Sequence, residues 1–295
     1  MTTILNSGRN ARKLFRQKVR RTTKENVAIW VAFVIFCVYA FTLVYPFWWL
    51  FINSLKRNLE IRLATFALPK VWQWGNYRAV FEEFNFAEMF FNSVTLTVGL
   101  TFFTMVLSCM AAYVTAQYKF KGNEFIYTVV VISGTIPTVG ALPATYRLMS
   151  DTKLIDTYLG MILLQCGGFG GVFLYLHSYF KAVPWSYAES AMLDGASDFR
   201  IFVSIMSPLV KNGIMAMTII KVLGFWNDYW MPYMFYSEHP TVAVGLSTLS
   251  AEASSTGAYA QLFAAMIVSV LPVLIFYAIF QKQLMANTIG GGMKE

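Results

Sequence analysis

Six apolar runs, each about the ~20 residues a helix needs to cross ~30 Å of hydrocarbon, recur along the chain. They lie near Ala28 to Ile52, Phe90 to Ala116, Phe125 to Tyr146, Tyr158 to Phe180, Gly213 to Phe235 and Leu262 to Phe280. The pattern predicts an all-α, polytopic membrane protein with six transmembrane helices and polar connections. The first run is too long for a signal-peptide core and no A-x-A-like site follows it, so it is expected to stay as an anchor, with the mature chain beginning in the cytoplasm. Pro46, Pro137, Pro143, Pro232 and Pro272 fall in or at the ends of these runs, where a missing N–H and a ring clash break or kink a helix. Such breaks suit helices that line a cavity, and they also occur in passive packing.

The polar stretch between the fourth and fifth runs is the most informative. Ser186 with Glu189 three residues on predicts a capping box, and Gly195 a left-handed stop, so that residues 186 to 194 form a short helix. Ser197 is placed to cap a second helix over Asp198 to Met206, and Pro208 marks the turn back toward the membrane. Ala188, Ala191 and Met192 share one face of the first helix. That smooth face serves either to receive another protein or to rest on the chain's own bundle, and spacing alone leaves both open.

Charge fixes the expected orientation. Arg9, Arg12, Lys13, Arg16, Lys18, Arg20, Arg21 and Lys24 precede the first run, and cytoplasmic segments keep an excess of Lys and Arg. Six crossings then return the carboxyl terminus to the same side, together with the polar stretch and Lys119, Lys121, Lys181, Arg200, Lys211, Lys282 and Lys294. A basic tail facing anionic lipid accounts for the net charge of +8 without nucleic acid. With 57% hydrophobic and 13% charged residues, the chain is too apolar for an ordinary soluble domain. Cys37, Cys109 and Cys166 lie in apolar runs without metal-ligand spacing and suit small core positions. No G-x-x-x-x-G-K-[ST] loop occurs, and the run Gly167-Gly168-Phe169-Gly170-Gly171 lacks the lysine of a phosphate cradle. His177 and His239 stand far apart in sequence, and no catalytic or metal site is expected.

The segment Glu189-Ser190-Ala191, then Asp194-Gly195-Ala196, then Phe202, Ile205 and Pro208-Leu209, resembles the EAA loop of binding-protein-dependent ABC importer permeases. Ser190 stands where that loop has its second alanine. Over nearly the whole chain the resemblance is to the inner permease subunit of maltose-type carbohydrate importers. It is carried further by Asn76-Tyr77, Asn92-Ser93, Ala111-Ala112-Tyr113, Phe120-Lys121-Gly122, Trp226-Asn227-Asp228 with Pro232, and Gly291-Gly292-Met293-Lys294. The resemblance implies a multi-pass protein of a bacterial inner or plasma membrane, both termini cytoplasmic, that forms a sugar path with a second permease subunit. It implies a cytoplasmic ATPase dimer that uses ATP and Mg, while this chain binds no cofactor, and an extracytoplasmic sugar-binding protein. Residues 1–27 form a basic segment, 28–286 the permease domain with its coupling loop at 181–211, and 287–295 a tail. The coupling contacts fall on Glu189, Ser190, Ala191, Asp194, Gly195 and Ala196. In the resembled subunits the tail reaches between the two ATPases, which carries that role onto Gly291, Gly292 and Lys294.

Within the fifth run, Trp226, Asn227 and Asp228 combine an aromatic face with an amide and a carboxylate, the ingredients of sugar recognition, although Trp also belts membrane interfaces. Lys221 sits some ~12 Å into the bilayer if the helix starts at Gly213, and is expected to face the interior, with snorkelling as the alternative. An ion-coupled secondary transporter is the competing class. It calls for inverted repeats or acidic residues near the midplane, and neither is evident.

Overall fold

The computed structural model describes residues 23–136 and 138–290, and the elements among them are helices. Contacts divide the chain into two compact units, Met1–Phe51 and Ile52–Glu295. The first contains most of helix α1 (Thr23–Ser54), whose Trp30, Phe36 and Phe41 are 66, 69 and 65% exposed. Such side chains suit a hydrocarbon surrounding.

The second unit opens with α2 (Asn58–Leu63) and α3 (Gly75–Glu83), and then α4 (Phe86–Gln117), its longest central helix. Next come α5 (Asn123–Ser133), a 3₁₀ turn at Thr138–Ala141, α6 (Leu142–Asp151), α7 (Tyr158–Gln165) and α8 (Gly171–Lys181). The short α9 (Ser186–Leu193) leads into α10 (Asp198–Leu209), which contains a π-helical turn at Phe202–Met206. The unit closes with α11 (Lys211–Asn227), α12 (Trp230–Phe235), α13 (Val242–Thr256) and α14 (Tyr259–Gly290). Among the described residues, α1, α4 and α14 are long and apolar enough to cross a bilayer, and the bent pair α10–α11, meeting at 82°, supplies a fourth candidate.

Three of the expected runs are interrupted. The third breaks after α5 and restarts at α6, where Pro143 occupies the first turn and needs no N–H partner. The glycine-rich stretch between Gln165 and Gly171 parts α7 from α8. The fifth run stops at Asn227 and restarts at Trp230. There the Asp228 carboxylate accepts the Met231 N–H at 3.3 Å, and Pro232 has no N–H to return to the Asp228 carbonyl. The aromatic run 226–230 is thus a hinge between two helices and not the single helix expected.

Small side chains explain why the second unit packs around α4. Ser93, Thr97, Thr101, Thr104, Ser108 and Ala112 recur every three or four residues and are all buried. On the other side Val98, Phe102 and Met110 are exposed. Lipid tails are as apolar as Leu, so a membrane helix gains by turning small residues to its neighbours, where backbones approach closely, and large ones to lipid. The closest neighbours of α4 are α8 and α11.

Past the C-terminal end of α1, Lys56 is completely buried. Its Nζ donates to Asn53 Oδ1, the Ala64 carbonyl and the Thr65 carbonyl, each at 3.0 Å. Asn76 Nδ2 donates to the Ser54 carbonyl at 2.7 Å and the Lys56 carbonyl at 2.9 Å, and the Tyr77 hydroxyl meets Ser54 Oγ at 2.7 Å. The pair Asn76-Tyr77 therefore fastens the loop that enters α3. Asn92-Ser93 acts likewise further on, with Asn92 Nδ2 donating to the Pro240 carbonyl at 3.2 Å and Ser93 Oγ accepting the Val242 N–H at 2.7 Å.

Candidate coupling site and intramembrane polar cluster

Helix α9 ends in a left-handed turn. Gly195 has φ +77°, its N–H donates to the Met192 carbonyl at 3.0 Å, and the Ala196 N–H reaches the Ala191 carbonyl at 3.0 Å. These two bonds form a Schellman motif, and Ala196 packs against the same cluster as Ala191, as that motif favours. Ser197 accepts the Arg200 N–H at 3.4 Å and so caps α10 as expected. The start of α9 departs from expectation. Its N-cap is Trp185 in helical conformation with no side-chain cap, so Ser186 and Glu189 form no capping box. Pro184 and Trp185 already turn the chain into helical geometry, with the Ala188 N–H on the Trp185 carbonyl at 2.8 Å, which leaves Ser186 inside the first turn.

The small-residue face also points elsewhere than outward. Ala188 and Ala191 are buried in a cluster with Ala112, Phe173, Leu176 and Ile201, whereas Met192 is exposed. These alanines let α9 lie close to its own bundle. The surface it presents consists of Tyr187, Glu189, Ser190, Leu193, Asp194 and Gly195, with Leu193 89% exposed. The Ser190 hydroxyl turns back onto the Ser186 carbonyl at 2.9 Å.

Two residues at the end of α4, not singled out from the sequence, strap this segment in place. Gln117 Nε2 donates to the Phe180 carbonyl and, at 3.1 Å, to the Val183 carbonyl. Tyr118 donates its hydroxyl to Asp198 Oδ1 at 2.9 Å and sets its ring edge-on to Trp185 at 5.2 Å. Burial, with hydrogen bonding to Tyr113 and to the Asp198 carboxylate, raises the Tyr118 phenol above its ordinary range, so it remains a donor to Asp198 at physiological pH. A glutamine-tyrosine pair closing an apolar helix was the available signal.

The four residues singled out in the fifth run do not share one site. Trp226 packs edge-on to Phe90 at 5.7 Å and lines an apolar groove of about 230 Å³ with Val94, Val98 and Pro272. Asn227 is exposed and donates to the Leu223 carbonyl at 2.8 Å. Asp228 interacts with Gln165 at the end of α7, and the charge of Lys221, seven residues before Asp228, is felt at Cys166. Lys221 Nζ also lies 5.2 Å from the Phe225 ring centroid. The Cys166 thiol donates to the Leu100 carbonyl at 3.4 Å, and Thr101 Oγ1, Thr104 Oγ1 and Gln165 Nε2 are buried without a hydrogen-bond partner. Asp228 and Gln165 together offer a carboxylate and an amide inside an apolar bundle. Gly291, Gly292 and Lys294 lie outside the described residues.

Comparison with known proteins adds an independent line. The chain is 32% identical over 257 residues to the arabinooligosaccharides transport system permease protein AraQ of Bacillus subtilis, covering 85% of this chain and 90% of that protein. It is 28% identical over 264 residues to the diacetylchitobiose uptake system permease protein NgcG of Streptomyces coelicolor, covering 88% and 87%. The trehalose transport system permease protein SugB of Mycobacterium tuberculosis is 25% identical over 255 residues, covering 84% and 92%. These relatives are transport permeases and not enzymes. The fold resembles a solved chain of a bacterial ABC transporter involved in the import of the acidic polysaccharide alginate. That match has a TM-score of 0.73 at 20% identity and covers 89% of this chain and 98% of that one. Residues 104–288 match the binding-protein-dependent transport system inner membrane component, and the chain belongs to that family of membrane-embedded transport subunits.

Proposed function

We propose that the chain is a permease subunit of an ATP-driven importer for a carbohydrate, working by alternating access with a second permease subunit. The observation that carries this reading is the Schellman-closed helix α9, held on the bundle by Ala188 and Ala191 and presenting Glu189, Leu193 and Asp194 outward, in a chain of this family. With no phosphate-binding loop of its own, the chain needs a partner ATPase dimer to supply the energy, and α9 is the element exposed to receive its motion. Six crossings, with broken third, fourth and fifth helices, place both termini and α9 in the cytoplasm, following the basic amino-terminal segment. A sugar-binding protein delivers cargo from outside, and the tail residues Gly291, Gly292 and Lys294 extend toward the ATPases.

Carbohydrate as cargo is supported by the sugars named in the relatives and by the polar cluster. Asp228 and Gln165, which interact with each other, are groups that pair with sugar hydroxyls. The breaks at α7–α8 and α11–α12 put irregular backbone next to Gln165 and Asp228, where a hydrated path tolerates it. Mild detergent extraction of a tagged chain tests the reading: an ATP-hydrolysing subunit and a second permease should co-purify. Uptake driven by a proton gradient through this chain alone would establish the secondary transporter instead.

A further inference from the structure

Two kinds of cavity meet at Tyr118 and Lys119, just past the end of α4, and the transport reading uses neither. The first is an apolar groove of about 470 Å³ walled by Met110, Val114, Phe199 and Phe202. Met110, Phe199 and Phe202 also wall a second apolar groove, of about 310 Å³, that runs deeper along α4 past Met105 and Val106. Both grooves open on the face of α4 where Val106, Met110 and Val114 are exposed, the face assigned above to lipid. The other cavity is a polar basin of about 810 Å³ lined by Asn123, Thr128, His177, Ser178, Lys119 and Lys181. Glu124 is the one carboxylate on the basin's described walls, and Asp198, in the apolar groove, is already engaged by the Tyr118 hydroxyl at 2.9 Å.

We infer that the grooves and the basin together bind one anionic phospholipid, its acyl chain lying along α4 and its phosphate between Lys119 and Lys181. An apolar slot open to hydrocarbon that leads into a cationic, hydroxyl- and amide-lined basin at a helix end matches an amphiphile of that order. A soluble sugar finds few polar groups along the slot's walls of Met110, Val114, Phe199 and Phe202, and a partner helix laid over the slot leaves the basin unfilled. Lysines near a membrane surface each favour anionic lipid by about 1 kcal/mol. The site bears on transport because Phe199 and Phe202 belong to α10, and the Tyr118–Asp198 bond that straps the coupling segment forms the groove's floor. An occupied groove stiffens that strap. Assignment to the cytoplasmic leaflet rests on the orientation proposed above, whereas the amphiphile site itself does not.

Native mass spectrometry of the assembled transporter in detergent tests this, with phosphatidylglycerol, phosphatidylcholine of the same chains and water-soluble glycerol phosphate as probes. Phosphatidylglycerol should bind best, and the double variant K119A/K181A should weaken it roughly thirtyfold, toward the level of phosphatidylcholine. Met110→Trp, which fills the slot, should weaken both lipids, and the same spectra report whether each variant still assembles. Equal binding of the two lipids, unchanged phosphatidylglycerol binding in K119A/K181A, equally tight glycerol phosphate, or no lipid retained because a subunit covers the slot would each overturn the site. A cysteine at position 121 that reacts with impermeant reagent from outside would overturn the leaflet and the orientation, with lipid binding unaffected.

Discussion

At Gly195 the backbone, and not the surrounding space, sets the requirement. A β-carbon there meets nothing within 4 Å, but φ is +77°, a region that costs an L-residue about 1–2 kcal/mol. Gly195→Ala should therefore insert normally and lose part of its uptake, and Gly195→Asn, which tolerates this region, should lose less. Gly195→Trp, which also adds bulk to the exposed surface of α9, should abolish uptake at normal membrane levels. Full transport by the Trp variant would show that nothing docks there. Lys56 behaves differently, because its role is internal. Removing its ammonium strands buried acceptors, so Lys56→Met should cost about 1–3 kcal/mol of thermal stability in detergent. Burial pushes the Lys56 amine below its usual 10.5, with Glu60 opposing, so the folded chain holds that proton less tightly than the unfolded one. Stability from this group rises as pH climbs from the folded pKa toward 10.5, and the advantage of wild type over Lys56→Met should widen across that window. A constant difference would contradict a buried cation. Gly195 was legible in the sequence because its neighbours announce a helix stop. Lys56 was not, since two of its three partners are backbone carbonyls that no residue identity records.

At the scale of elements, α4 straps the proposed coupling segment onto the bundle, in addition to the Schellman turn at Gly195 and the Ser197 cap. Tyr118→Phe removes the bond to Asp198 and Gln117→Ala the two bonds to the 180–183 turn, each worth about 1 kcal/mol. Both variants should still assemble, while ATP hydrolysis becomes less dependent on cargo, as measured by stimulated against basal turnover in the purified complex. Unchanged stimulation in the double variant would show that the strap is passive. Positions 186–196 were readable as a helix with a stop because the local signals agree. The face that α9 buries was not, since Ala188 and Ala191 suit a docking surface and an intramolecular contact equally well, and only the position of α4 and α8 decides. The breaks within the third, fourth and fifth runs were marked by Pro143, the glycine run and Pro232, but hydrophobicity alone reads straight through them. Helix α13 escaped a hydropathy reading because Ser and Thr dilute it. Its ends were nonetheless signed, by Thr241 accepting the Val244 N–H and by Gly257 at φ +79°.

For the whole molecule, the chain belongs to a family of binding-protein-dependent transport subunits, and the proposed function divides the work between it and an ATP-hydrolysing partner. Composition made the membrane legible, and the basic residues support the orientation proposed above. The Asp228–Gln165 pair was only half visible, because Gln165 lies on a helix remote in sequence from Asp228. In the proposed function the energy of transport passes through α9, so its outward face is the place to test it. A photoreactive side chain at position 193, 89% exposed in the isolated chain, can be irradiated in native membranes. The account predicts a covalent adduct to an ATP-hydrolysing subunit, changed in yield by nucleotide. Adducts only to lipid, or labelling from the outer face of the membrane, would contradict it.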